Sequence, residues 1–136
     1  MSATDCVFCK IIAGVIPAAI VYEDERTVVF LDIAPFEKGH LLVVPKRHAP
    51  LMTDLPEEDL AAAILVTRKM GERLMRRLPL CEGFNVLQNN GACASQTVPH
   101  VHFHVVPRRE GRPLNWTPGC YDSPAEMENV LATLRR

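Results

Sequence analysis

Residues 100–106 read His-Val-His-Phe-His-Val-Val, imidazole and apolar side chains in alternation, closed by a β-branched pair. A period of two belongs to an extended strand, whose successive side chains point to opposite faces of a sheet. His100, His102 and His104 are therefore expected on one face. Val101, Phe103 and Val105 are expected on the other, buried face. Three of the chain's five histidines fall within residues 100–104, so one sheet face gathers groups that titrate near neutrality.

The remaining segments supply partners for that strand. Residues 20–23 and 27–31 read as a hairpin turning at Asp24-Glu25-Arg26, residues 40–45 as a third strand and 84–89 as a fourth. Val7, Phe8, Ile11 and Ile12 recur at helical spacing, with Gly14 as a stop. Residues 56–78 are expected to form a long helix capped by Asp54, with Glu57, Glu58 and Asp59 at its positive end. Its core stripe is Leu60, Ile64, Thr67, Gly71, Leu74, Met75 and Leu78. Ser123-Pro124-Ala125-Glu126 reads as a capping box with proline at the first helical position. The order helix, three strands, long helix, two strands, helix predicts an α+β domain. Its sheet of about five strands is mostly antiparallel, with one long helix and short terminal helices.

A length of 136 residues suits one domain over 1–136. A net charge of -1 gives no polyanion-binding surface, so no nucleic-acid partner is expected. Lys46-Arg47 and Arg108-Arg109 are small solvated clusters unless a phosphate lies beside them. No apolar run is long enough to span a membrane, and no secretory signal is evident. Five cysteines, an odd number, argue against a disulfide framework and for a reducing cytoplasm.

His-x-His-x-His has three uses: ligating a metal, nucleophilic catalysis with charge stabilisation, or structural packing. The segment closely resembles the motif of the histidine triad (HIT) family of nucleotide hydrolases and transferases. Leu31-Asp32-Ile33-Ala34-Pro35, residues 38–46 (Lys-Gly-His-Leu-Leu-Val-Val-Pro-Lys), Asn89-Asn90-Gly91 and Gln96-Thr97-Val98 resemble further family segments in the family's order. The resemblance spans about residues 6 to 107 and implies a HIT-like fold. It implies that His102 attacks the α-phosphorus of a purine nucleotide, forming a nucleotidyl-histidine that water hydrolyses, without a catalytic cofactor. His104, His40 and Thr97 would assist. Asp32 would meet the ribose, and Asn89, Ser95 and Gln96 the phosphate side. Val7, Phe8, Ile11, Phe30 and Ile33 would line the base pocket, ordinary core packing being the alternative for each. The family usually carries glycine where this chain has Ser95. If that position needs positive φ, serine is costly there.

Cys6-Val7-Phe8-Cys9 on its own fits a zinc site, a redox pair or two buried thiols. A branch of the family with this Cys-x-x-C holds structural zinc, which implies Cys6, Cys9, His48 and His100 as ligands. The resemblance also implies a homodimer, and the long helix offers Gly71 and Ala61-Ala62-Ala63 for close approach. Two activities compete within the family. Asn115-Trp116-Thr117-Pro118-Gly119 resembles the tail of the phosphoramidase branch, where such a tryptophan reaches towards the partner's active site. Gln96-Thr97-Val98 and Pro107-Arg108-Arg109 lean towards dinucleoside polyphosphate hydrolysis. Release of AMP from adenosine 5′-phosphoramidates is favoured. Outside this class stand a hydrolase with catalytic zinc on the histidine cluster and a nucleotide-binding module without turnover.

Overall fold

The computed structural model of the protein describes residues 5–135. The expectations of one domain over 1–136 and of no leader extend onto residues 1–4 and 136, outside the described residues. The elements are α1 (Val7–Ile12), β1 (Ile20–Glu23), β2 (Thr27–Leu31), β3 (Leu41–Pro45), α2 (Glu57–Arg77), β4 (Gly83–Gln88), β5 (Phe103–Arg108) and α3 (Pro124–Arg135). The strands form one antiparallel sheet in the order β1-β2-β3-β5-β4.

Every residue of β2 and β3 is buried, because both sheet faces are covered. Val29, Leu31, Leu41, Val43, Phe103 and Val105 pack with Met70, Leu74 and Leu134 of the long helices. Val28, Phe30, Leu42 and Val44 pack on the opposite face with Cys6 and Phe8. Arg73 and Arg77 of α2 donate to the Leu134 carbonyl at 3.1 and 3.3 Å, tying the end of α3 to α2.

Alternation in the histidine segment outlasts the strand. β5 starts at Phe103, so His100 and His102 precede it. There the Val101 N–H donates to the Ala49 carbonyl at 2.9 Å instead of to a strand. Val101 nevertheless stays in the helix-side core, fully buried.

The long helix differs from expectation in three ways. Its N-cap is Pro56 with no side-chain cap; the Asp54 carboxylate instead accepts from the Leu51 N–H at 3.3 Å. Its buried face is rotated, running Asp59, Ala63, Val66, Thr67, Met70, Gly71 and Leu74, while Ile64 and Met75 are exposed. The rotation is possible because buried Asp59 is met by two guanidiniums, Arg26 at 2.9 Å and Arg47 at 2.8 Å. Finally, Gly71 faces Phe84 of its own chain: a Cβ there would lie 2.3 Å from that ring. In α3 only half the capping box forms. Glu126 N–H donates to Ser123 Oγ at 3.1 Å, but the Glu126 carboxylate accepts from Asp122 N–H.

Candidate active site

On the α1 side of the sheet a cavity of about 290 Å³ opens between Phe8, Phe30, Asp32, Thr97, His102 and His104. Val7, Ile11 and Ile33 also line it, Ile33 at an exposed edge. His102 Nδ1 lies 2.7 Å from the His100 carbonyl oxygen. A carbonyl only accepts, so Nδ1 carries the proton and Nε2 holds a free lone pair. Burial lowers the His102 pKa, with the His100 hydrogen bond and Asp32 charge partly opposing it. The ring is neutral at pH 7.

A second chain of hydrogen bonds sets the other two rings. The Phe36 N–H donates to His40 Nδ1 at 3.0 Å, so the proton of neutral His40 sits on Nε2. That nitrogen lies 2.9 Å from His104 Nδ1 and donates to it. His104 therefore keeps its own proton on Nε2, as a donor on a ring that lines the cavity. Burial, reinforced by the charge of His102, pushes both His40 and His104 down to about 4. Neutrality is what this donor order requires. His40 itself is fully buried and does not line the cavity.

Cys6, Cys9, His48 and His100 converge behind the same segment. His100 Nε2 donates to the Pro45 carbonyl at 2.8 Å, which leaves Nδ1 unprotonated. That nitrogen stands 3.3 Å from Cys6 Sγ, 3.6 Å from Cys9 Sγ and 3.1 Å from His48 Nδ1. Tetrahedral zinc with ordinary Zn–S and Zn–N bonds needs donors about 3.3–3.8 Å apart, so the set fits with little movement. Burial, then hydrogen bonding and charge from Cys6, push the Cys9 thiol up to about 11. The Cys9 thiol therefore stays protonated without a cation, and metal uptake would release its proton.

Not every sequence candidate reaches the cavity. The Gln96 side chain accepts from Gly91 N–H at 2.7 Å and donates to the Pro50 carbonyl at 2.7 Å, bracing the loop. Asn89 and Ser95 also lie outside the lining, with Asn89 Nδ2 3.5 Å from the Ser95 carbonyl. Ser95 adopts φ 70°, ψ 23°, the left-handed conformation in which glycine is at ease. Asp32 spends one oxygen on the Ala34 N–H at 2.9 Å. Arg108 and Arg109 line a separate cavity with Leu78 and Val130. Trp116 packs on Phe36 of its own chain. Phe36 itself was missed: nothing in its spacing marks a residue that acts through its amide.

The HIT domain family model matches residues 13–111. An uncharacterized HIT-like protein of Methanocaldococcus jannaschii is 49% identical over 106 residues, covering 78% of this chain and 81% of its own. The adenosine 5′-monophosphoramidase hnt1 of Schizosaccharomyces pombe is 41% identical over 126 residues, 90% of each chain. The crystal structure of a zinc-bound histidine triad family protein from Mycobacterium smegmatis superposes with a TM-score of 0.89 at 39% identity, covering 98% of this chain and 93% of its own.

Proposed function

The chain belongs to the histidine triad (HIT) family, and from that premise we propose that it hydrolyses adenosine 5′-phosphoramidates to AMP and an amine through a nucleotidyl-histidine. The observation that carries this reading is the His102 ring. Its Nδ1–H is held by the His100 carbonyl, and the opposite nitrogen belongs to a ring lining the cavity. Nε2 attacks the α-phosphorus, a P–N bond to histidine forms, and the bond to the leaving nitrogen breaks as that nitrogen takes a proton from solvent and departs as the amine. Water then cleaves the adduct, releasing AMP and restoring the ring. The His104 Nε2–H and the Thr97 hydroxyl donate to the equatorial phosphate oxygens. Asp32 accepts from the ribose with its remaining lone pairs, and Phe8, Ile11 and Phe30 hold the base. Asn89, Ser95 and Gln96 act by shaping the loop that carries Thr97.

Cys6, Cys9, His48 and His100 hold a zinc ion. When bound, it cross-links α1, the segment after β3 and the histidine segment; the zinc-bound relative and the donor spacing support this. A catalytic metal on Asp32, His40 and His104, whose ligand atoms also cluster, is disfavoured. His40 Nε2 carries the proton that the Phe36 amide denies to Nδ1. Remote Arg108 and Arg109 offer nothing to a second nucleotide beside His102.

The chain works as a homodimer in the cytoplasm. Edge strand β4 exposes Phe84 and Val86, and α2 exposes Ile64, Leu65 and Met75, an apolar surface a second copy would cover. All five cysteines are free, as a reducing compartment requires. No helix among the described residues is long and apolar enough to cross a membrane.

The test is a comparison of kcat/KM for adenosine 5′-phosphoramidate and diadenosine polyphosphates. The proposal expects the phosphoramidate to be preferred and its turnover to survive chelation on the assay timescale. Preference for the dinucleotide, or AMP binding without turnover of either, refutes it.

A further inference from the structure

Five consecutive residues before His40 are each held by a different part of the chain 112–126. The Pro35 carbonyl accepts from Gly119 N–H at 2.8 Å. The Phe36 ring takes the edge of Trp116, with centroids 5.9 Å apart. The Glu37 carboxylate meets Arg112 Nε at 2.9 Å. Lys38 Nζ donates to both Asp122 and Glu126 at 2.9 Å. Gly39 N–H donates to the Tyr121 hydroxyl at 3.0 Å.

Close approach is built in at Gly119, and the loop turns at a glycine. A Cβ at Gly119 would stand 3.0 Å from the Pro35 carbonyl oxygen, and Gly39 takes φ +101°. Trp116 takes φ 55°, an uncommon conformation for a bulky residue, and does so where its ring meets Phe36. The Phe36 ring in turn stacks on His40 at 5.0 Å and on His104 at 6.2 Å. A segment anchored only for stability would not need to engage each of five successive residues. What this loop must hold accurately is one amide, the Phe36 N–H, because it dictates which nitrogen of His40 is protonated.

We propose that residues 112–126 form a strap that positions the 35–39 loop, so that Phe36 holds the His40–His104 pair in the order that presents the His104 Nε2–H to the cavity. Phe36 and Tyr121 are positioning residues: neither lines the cavity. If the loop drifts, the Phe36 amide leaves His40 Nδ1 and that nitrogen can take the proton. His104 then loses its donor at Nδ1, and its own proton can move there. The proposal rests on the reading of His104 as a phosphate donor only for its kinetic consequence. The tautomers are independent of it.

The experiment uses the full chain with Tyr121→Phe, which removes the acceptor for Gly39, and with Gly119→Ala, which presses on Pro35. Either folded variant suffices, and wild type with inorganic phosphate and with AMP supplies the reference. Long-range ¹⁵N–¹H spectra of the imidazoles read the tautomers. Wild type should show both His40 and His104 protonated at Nε2. The variants should show a growing Nδ1–H population at His104, and kcat should fall about tenfold with KM changed less than twofold. A variant that unfolds at lower temperature but keeps the wild-type imidazole spectra overturns the strap, whatever its kcat. So does a wild type with His104 protonated at Nδ1. Shifted tautomers in a protein with no turnover would uphold the strap and sink the proposed function instead.

Discussion

His100 and His102 are two residues apart in one segment, both buried and neutral, yet they face different chemistry. The difference lies in which ring nitrogen a carbonyl takes. Pro45 takes Nε2 of His100 and leaves Nδ1 to the cysteines. The carbonyl of His100 takes Nδ1 of His102 and leaves Nε2 to the cavity. Under the proposed function, backbone geometry alone would make one imidazole a ligand and its neighbour a nucleophile. The two centres share one short segment ahead of β5 but need not share a function, so each can be removed alone.

The largest expected effect comes from His102→Ala. Turnover should fall by at least ~10³-fold while zinc content stays at the wild-type level, as measured by steady-state assay and metal analysis. His100→Ala reverses the pattern. Zinc is lost, and unfolding free energy drops by about 3 kcal/mol or more in denaturant titration, as expected for a closed site missing one of four ligands. Should His102→Ala release the metal as well, the division between the two rings is wrong.

Acid should act on the catalytic side through His40 and His104. Both have folded pKa values near 4, below the unfolded value of about 6.5. The unfolded chain therefore binds more protons between those values. Stability is full above about pH 6.5, declines as pH falls towards 4 and levels off below. Denaturation at pH 7 and pH 5 should differ by about 4 kcal/mol, and a flat profile would mean these rings are not held neutral.

On the zinc side, Asp59→Asn should cost about 1–2 kcal/mol. The carboxylate is buried, but Arg26 and Arg47 are half-exposed and their pairing is weakened by solvent. Because Arg47 precedes His48, metal retention under chelator should suffer while turnover of loaded protein does not. The smallest effect is expected from Ser95→Gly. Relief of the left-handed backbone should stabilise by about 0.5–1 kcal/mol in thermal unfolding. A loss of stability would show that the serine side chain is needed there.

The strands were legible because alternation and β-branched runs report burial directly, and residues 20–23 and 27–31 match β1 and β2. The Cys-x-x-C pair and the histidine alternation marked candidate residues, but only the family resemblance joined His48 and His100 to Cys6 and Cys9, a set the fold brings together. Helix facing was legible only in part: Thr67, Gly71 and Leu74 are buried as expected and Leu60 and Leu78 pack against the core, but Ile64 and Met75 are exposed. Asp59 looks like an N-terminal charge until Arg26 and Arg47, distant in sequence, converge on it. The proton order was hidden too: it depends on the Phe36 amide and the Pro45 and His100 carbonyls, which every residue type carries. The contact of Trp116 with Phe36 was not legible either, because it depends on a backbone turn that no local pattern announces.

The most direct test mixes zinc-loaded protein with adenosine 5′-phosphoramidate, quenches without acid, and maps the modified peptide by mass spectrometry. The account predicts an adenylyl group on His102 in the wild type, still formed in zinc-retaining Asp59→Asn and absent from His102→Ala. An adduct on His100 or His104, or AMP release with no adduct at any time point, would contradict it.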